Sequence, residues 1–301
     1  MSYGDEKAIW VKFEGNPVLG GQLGTCFDLA VLKDGGLYRM YFSWRPKQSV
    51  AMSESQDGIN WSEPVILIEP REESGWEEEI NRPVVLKKDG HYLMWYTGQI
   101  RPGQEHGHSW IGYAKSEDGY HWSRLDKPVL SFDEPWEKSA VMCSHVIWVE
   151  EEEQFRMWYS GGEQYEPDAI GYATSKDGVS WNKHKANPVF RADPTSRWEQ
   201  QKVTACQVVK HGTWYVMFYI GFEDVNTARI GIARSRDGIS NWERLPANPI
   251  LSPGAGEWDG EACYKPFAIY EDECWQLWYN GRNGHVEQIG TAFHDGEDLG
   301  F

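Results

Sequence analysis

A seven-residue signature, Ser-x-Asp-Gly-x-x-Trp, returns along this chain at nearly constant spacing, and no other feature limits the fold as strongly. It runs from Ser55 to Trp61, from Ser116 to Trp122 and from Ser175 to Trp181, and from Ser235 to Trp242 with one residue inserted. His294-Asp295-Gly296 opens a fifth copy. The aspartates at 57, 118, 177, 237 and 295 are separated by 61, 59, 60 and 58 residues. A fixed period of this length marks a repeat architecture, in which each copy is one supersecondary unit.

The rest of the unit keeps the same step. An aromatic-rich run precedes each signature: Leu37–Phe42, Tyr92–Tyr96, Phe155–Tyr159, Trp214–Tyr219 and Trp275–Tyr279. A small-residue run follows, as in Ile111-Gly112-Tyr113-Ala114, Ile170-Gly171-Tyr172-Ala173 and Ile230-Gly231-Ile232-Ala233. Short β-branched and aromatic runs punctuated by Asp-Gly predict antiparallel hairpins. No long helical period interrupts them, which excludes a parallel α/β design. Each unit supplies about four strands, the content of one propeller blade. The expected fold is therefore all-β, a five-bladed β-propeller forming a single domain over residues 1–301, with the Trp and Tyr side chains wedged between blades.

The ring has a predicted closure. Trp181 precedes Pro188 by seven residues, Trp242 precedes Pro249 by seven, and Trp10 precedes Pro17 by the same gap. Ile9–Lys12 thus reads as the outer strand of a blade whose other strands lie elsewhere. The C-terminal repeat lacks that strand, so the N-terminal strand is expected to complete the C-terminal blade and remove its open edge.

Charge narrows the partners. With 46 Asp and Glu against 29 Lys and Arg, the net charge is −17. Such a surface repels phosphate backbones and anionic lipids, so neither nucleic acid nor a membrane is an expected partner. Residues 1–7 lack the apolar core of a signal peptide, and no apolar run nears the ~20 residues of a membrane span. An odd count of five cysteines suits reduced thiols, and the expected location is the cytoplasm.

In a propeller the innermost strands line a central channel. Aligning those strands on Pro83 and Pro266 puts Asp28, Arg82, His145, Gln207 and Lys265 at one position. Five different polar residues in otherwise apolar strands read either as a ring around a binding pocket or as the lining of a water-filled channel. Two residues earlier stand Cys26, Ile80, Cys143, Ala205 and Cys263, which are small residues where strands converge. Three thiols there would also suit a soft metal, but no Cys-x-x-Cys pair occurs, and neither metal nor cofactor is expected. The loops on the same face add Arg101, Glu105, His106 and His108, then Glu163 and Glu166, then Glu223 and Asp224, and finally Arg282 and His285. Loops on a rigid scaffold commonly carry binding groups.

The repeat together with Asp28, in Thr25-Cys26-Phe27-Asp28, resembles the five-bladed propeller glycosidases. These include glycoside hydrolase families 43, 32, 68 and 117, and the mannosyl phosphorylases and mannosidases of family 130. The resemblance spans the whole chain and is to the superfamily rather than to one family. It implies a family 43-like enzyme in which Asp28, on the first inner strand, is the general base. The pattern departs elsewhere. No other inner position is acidic, the Trp-Met-Asn-Asp-Pro and Arg-Asp-Pro motifs of family 32 are absent, and so is the Glu-Asp-Pro-Arg motif of family 130.

Glycoside cleavage still requires a proton donor for the leaving oxygen. The candidates are Glu163 or Glu223 from the loops, Glu78 or Glu261 four residues before Arg82 and Lys265, and His145, since a propeller family cleaving anhydrogalactose is held to use His as its acid. Arg82, Gln207, Lys265, Glu78, Glu261 and Arg282 are expected to bind substrate. Cations in an acidic protein favour an anionic sugar or inorganic phosphate, unless they simply compensate nearby carboxylates. The expected function is cleavage of a small oligosaccharide or glycoside in the central pocket. Phosphorolysis and sugar binding without turnover remain the alternatives.

Overall fold

The computed structural model describes residues 10–100, 107–164 and 167–301. Each repeat folds as an antiparallel meander. The first comprises Cys26–Asp34, Leu37–Trp44, Ser49–Ser55 and Val65–Ile68. The second comprises Glu79–Lys88, His91–Gln99, Ser109–Ser116 and the short Ser123–Arg124. Ala140–Val149, Gln154–Gly162, Pro167–Ser175 and Asn182–Lys183 form the third, and Lys202–His211, Trp214–Phe222, Ala228–Ser235 and Glu243–Arg244 the fourth. The fifth contains Ala262–Glu271, Cys274–Asn283 and Val286–Asp295, with Val11–Lys12 antiparallel to the last. Among the described residues the helices are single three-residue 3-10 turns, none long and apolar enough to cross a membrane.

The signature is a turn whose polar groups satisfy each other. Ser55 Oγ accepts the Gly58 N–H at 2.9 Å, while Asp57 Oδ1 accepts those of Ile59 and Asn60 at 2.9 and 2.8 Å. These donors, led by the Asn60 N–H, hold the Asp57 carboxyl well below the usual range. Gly58 sits at φ 71°, which a side chain rarely tolerates. Its carbonyl accepts the indole N–H of Trp278 from the fifth repeat at 2.7 Å. The same latch joins Trp95 to Gly178 and Trp158 to Gly238, each at 2.8 Å. Between the remaining neighbours the equivalent positions hold Tyr41 and Phe218, both fully buried. Trp158→Phe should lower stability by about 1–3 kcal/mol, because it strands the buried Gly238 carbonyl without a donor. Urea unfolding would check it, with an unchanged midpoint contradicting the latch.

A second repeat, unmarked by the signature, lies under the outer strands. Glu77, Glu137, Glu199 and Asp259 each follow a tryptophan and are at most 1% exposed. Three of the carboxylates accept from a tyrosine hydroxyl of their own unit, Glu77 from Tyr96, Glu137 from Tyr159 (2.7 Å) and Asp259 from Tyr279 (2.9 Å), while Glu199 makes no such bond through its buried Oε2. All four meet a cation of the outermost strand. Arg124 lies 3.4 Å from Glu77, Lys183 2.6 Å from Glu137, Arg244 2.8 Å from Glu199 and Lys12 2.5 Å from Asp259. All four cations stand opposite an alanine of the adjacent strand, namely Ala114, Ala173, Ala233 and Ala292. The Asn-Pro segments repeat likewise. Asn16, Asn187 and Asn248 accept the backbone N–H of Thr291, Tyr172 and Ile232 at 2.8 to 2.9 Å.

Candidate functional site

The five innermost strands share a backbone irregularity. Each carries more residues than its partner strand between two paired positions, for example Phe27 opposite Ser43 and then Ala30 opposite Tyr41. At each bulge one residue adopts the left-handed conformation: Asp28 (φ 54°), Arg82 (59°), Cys143 (51°), Ala205 (35°) and Lys265 (49°). Strained bulges of this kind re-aim side chains beside functional sites. Their N–H groups are held by the preceding unit. Asp28 donates to Asn280 Oδ1 at 2.8 Å, Arg82 to Ser43 Oγ at 2.9 Å, Cys143 to Thr97 Oγ1 at 3.2 Å and Ala205 to Ser160 Oγ at 2.8 Å.

This register corrects the sequence alignment in two units. His145 and Gln207 lie two residues beyond the bulge, where the other strands carry Ala30, Val84 and Phe267. Both turn to the neighbouring strand. His145 Nε2 pairs with the Val208 carbonyl at 3.0 Å, so that nitrogen carries the proton. Burial, reinforced by the charge of Lys265, pushes the imidazole down to about 3. His145 is a neutral ring with its N–H committed to the backbone, not a proton donor. The Gln207 amide clasps both backbone groups of Ala268, at 2.8 and 2.6 Å.

Asp28, Arg82, Cys143 and Ala205 line one cavity of about 190 Å³, together with Arg45, Thr204, Tyr264, Arg282 and Glu287. Arg82 Nε lies 3.3 Å from Asp28 Oδ2, and Arg45 Nη2 lies 3.6 Å from Glu287 Oε2. Arg282 Nε lies 3.4 Å from Glu261 Oε2, and its Nη2 donates to the Asn226 carbonyl at 2.7 Å. Burial pushes the Glu287 carboxyl up; Arg45 opposes that shift and the charge of Asp28 adds to it. Four buried polar atoms on these residues have no hydrogen-bond partner: Asp28 Oδ2, Thr204 Oγ1, Arg282 Nε and Glu287 Oε2. Buried polar atoms are rarely left so, and their convergence on one concave space is what a polyhydroxylated ligand would satisfy.

The other expected residues fall elsewhere. Glu163 is 58% exposed and pairs with Lys138. Glu223 bridges Arg229 and Arg197 at 2.6 Å each, and these cations, Arg229 foremost, hold its carboxyl below the usual range. A carboxylate so stabilised is a poor acid. Glu261 lines a separate groove beyond Arg282, Glu78 lines neither that groove nor the central cavity, and Lys265 is buried outside the cavity lining. The thiols do not share one ring position: Cys143 stands at a bulge, and Cys263 lies 3.4 Å from Asp259. Among the described residues no cluster of three His, Cys, Asp or Glu side chains is arranged to hold a metal. Arg101, Glu105, His106 and Glu166 lie outside the described residues.

The sequence reading missed Arg45, Thr204, Tyr264 and Glu287. A signal for Glu287 was present. It stands two residues before Ile289-Gly290, the counterpart of Ile111-Gly112, at the loop end of a third strand.

Comparison with known proteins agrees with this geometry. The family described as the glycosyl hydrolases family 32 N-terminal domain matches residues 71–259. An uncharacterised protein of Mycobacterium tuberculosis (strain ATCC 25618 / H37Rv) is 28% identical over 184 residues, 59% of this chain; the alignment spans only 58% of that relative's length. A 1,2-β-oligomannan phosphorylase of Thermoanaerobacter sp. (strain X514) is 26% identical over 243 residues, 78% of this chain and 75% of that protein. A thermostable family-43 glycoside hydrolase superposes with TM-score 0.74 at 19% identity, covering 94% of this chain and 93% of the other. A structure from the GH130 family of mannoside phosphorylases, described as containing hydrolases of β-1,2 mannosidic linkages, superposes with TM-score 0.76 at 14% identity over 100% and 99% of the two chains. The fold is that of the propeller glycosidases, and the chain belongs to the glycosyl hydrolase family 32 N-terminal domain family.

Proposed function

We propose that this protein cleaves a glycosidic bond of a small oligosaccharide in the cavity between Asp28 and Glu287. The observation that carries the reading is the meeting of two carboxyl groups in one cavity whose lining residues hold four buried polar atoms that make no hydrogen bond, three of them held only in ion pairs of 3.3 to 3.6 Å. Asp28 takes the proton of the attacking water, with the Arg82 guanidinium beside its oxygen. Glu287 delivers a proton to the leaving oxygen, and water attacks with inversion. The proposal includes one five-bladed ring, a single domain over 1–301, closed by Val11–Lys12 on the fifth unit. Lys12 and Asn16 support it by repeating there the contacts that Arg244 and Asn248 make in the fourth unit.

A carboxyl raised by burial keeps its proton to higher pH than a free glutamic acid, whose pKa is roughly 4.3. Because the acid form is the working form, kcat should fall as pH rises through that elevated value, and Glu287→Gln should abolish this limb. A pH–rate profile unchanged in shape by Glu287→Gln would remove Glu287 from the reaction.

Phosphorolysis is the second reading. Arg45, Arg82 and Arg282 line the cavity and could hold phosphate in place of the attacking water, and two relatives are phosphorylases. Assaying β-1,2-mannobiose and aryl glycosides with and without phosphate separates the two. Turnover that requires phosphate and yields a sugar phosphate would establish phosphorolysis, while phosphate-independent release of reducing sugar would establish hydrolysis. No turnover of any substrate under either condition would leave a binding protein.

A further inference from the structure

Among the described residues, the charged groups of the central cavity all come from the first, second and fifth units: Asp28, Arg45, Arg82, Arg282 and Glu287. The third and fourth units supply a wall of another kind. It is one face of an apolar cluster, seven of whose eight buried residues line the cavity. Ile220 and Phe222 stand two apart on one strand and so share a face. Phe222 pairs with Ala228, which lies beside Ala262 of the fifth unit, so the wall runs unbroken across three strands. Met142 extends it into the third unit. Ile220 occupies the place that Ser43, Thr97, Ser160 and Asn280 hold in the other units. Directly opposite it stands Thr204. Among the described residues this threonine carries the only side-chain oxygen or nitrogen that the third and fourth units bring to the lining, and its Oγ1 is buried without a hydrogen-bond partner.

The cavity opens beside Arg45, whose side chain is 61% exposed, and Glu287. Met142, Thr204 and Ile220 are at most 4% exposed and form its depth. In a hexopyranose C4 lies across the ring from the anomeric carbon, and C6 branches from the carbon next to C4. An anomeric carbon held between Asp28 and Glu287 therefore turns C4 and C6 toward the apolar wall. One hydroxyl is met there, by Thr204, whereas a second would give up its water without a partner. We propose that the sugar in this cavity is a 6-deoxyhexose, its methyl against Met142, Ile220 and Phe222 and its C4 hydroxyl on Thr204. This rests on the glycoside-cleaving reading only for the place of the anomeric carbon.

The test is calorimetric binding of free sugars to the unmodified protein, in pairs that differ only at C6. The pairs are L-fucose with L-galactose, L-rhamnose with L-mannose, D-rhamnose with D-mannose and 6-deoxy-D-glucose with D-glucose. At least one 6-deoxy sugar should bind about tenfold or more tighter than its 6-hydroxy partner. Thr204→Val should weaken both members of that pair by a similar factor of about tenfold and leave the preference in place. Ile220→Thr sets a hydroxyl in the wall and should cut the preference to about twofold or less. Ala228→Ser, the milder change, carries the same expectation should Ile220→Thr fail to fold. The proposal is overturned by 6-hydroxy partners that bind as well or better in every pair, by binding of no sugar at all, or by a preference untouched in both wall variants. Tighter binding of D-xylose or L-arabinose, whose pyranose rings carry no C6, would overturn it too. Turnover is measured separately on aryl glycosides. Cleavage without a 6-deoxy preference keeps the reaction and loses this substrate, and a 6-deoxy preference without cleavage does the reverse.

Discussion

Asp28→Asn is expected to lower kcat by about 10²- to 10⁴-fold, the range set by loss of a positioned general base. The substitution is chosen to leave the site otherwise intact. Asp28 holds φ 54°, which asparagine tolerates better than most residues. The bond that pins the bulge runs from the Asp28 backbone N–H to Asn280 and does not involve the side chain. An asparagine carbonyl can still face Arg82. Thermal unfolding should therefore be little changed, and the loss should appear in kcat more than in KM. Glu287→Gln should match it on substrates with poor leaving groups. On aryl glycosides whose phenol departs without a proton, Glu287→Gln should recover most of its activity while Asp28→Asn should not. That split distinguishes acid from base. An Asp28→Asn enzyme within about tenfold of the original on every substrate would mean that another group activates the water.

The architecture was legible because its signals are periodic. Signature turns recurring every 58–61 residues report backbone geometry directly: the serine and aspartate satisfy the turn, the glycine supplies positive φ, and the tryptophan packs the joint. The site was legible in part, for the opposite reason. Asp28, Arg82, Cys143, Ala205 and Lys265 share a conformation and no chemistry, so alignment by residue type slipped at His145 and Gln207. The register was written instead on the neighbouring strands. There Ser43, Thr97, Ser160 and Asn280 are polar within aromatic runs because each accepts a bulge N–H. Ile220 breaks that series in the fourth unit. Charge was silent in a similar way. Nothing in the sequence marks the carboxylates after Trp76, Trp136, Trp198 and Trp258 for burial, yet they are the buried anchors of the outer strands. Glu287 escaped notice because a carboxyl at a strand end is distinguished only by the depth at which the fold buries it.

Lys12→Met is expected to cost about 3–5 kcal/mol of stability, the penalty for leaving a buried carboxylate without its cation. Asp259 is 1% exposed and keeps only neutral partners once Lys12 is gone, the Tyr279 hydroxyl among them. The lysine lies 247 residues away in sequence and also donates to the Ser252 carbonyl, so the substitution loosens a two-residue strand at the proposed joint of the ring. Adding Asp259→Asn should return most of the loss, because asparagine removes the charge and can still accept from Tyr279. If Lys12→Met costs below about 1 kcal/mol, the pair behaves as a solvated surface contact and the strand does not close the ring. The joint matters to chemistry as well. Asp28 belongs to the first unit, whereas Glu287, and the Asn280 that pins Asp28, belong to the fifth. Their relative placement is fixed by how firmly first and last units are held together, since each proposed carboxyl stands on a different side of that seam. Activity in Lys12→Met should accordingly fall at temperatures below its unfolding transition, while Trp158→Phe, which loosens a joint away from the pair, should lose stability without that early loss of kcat.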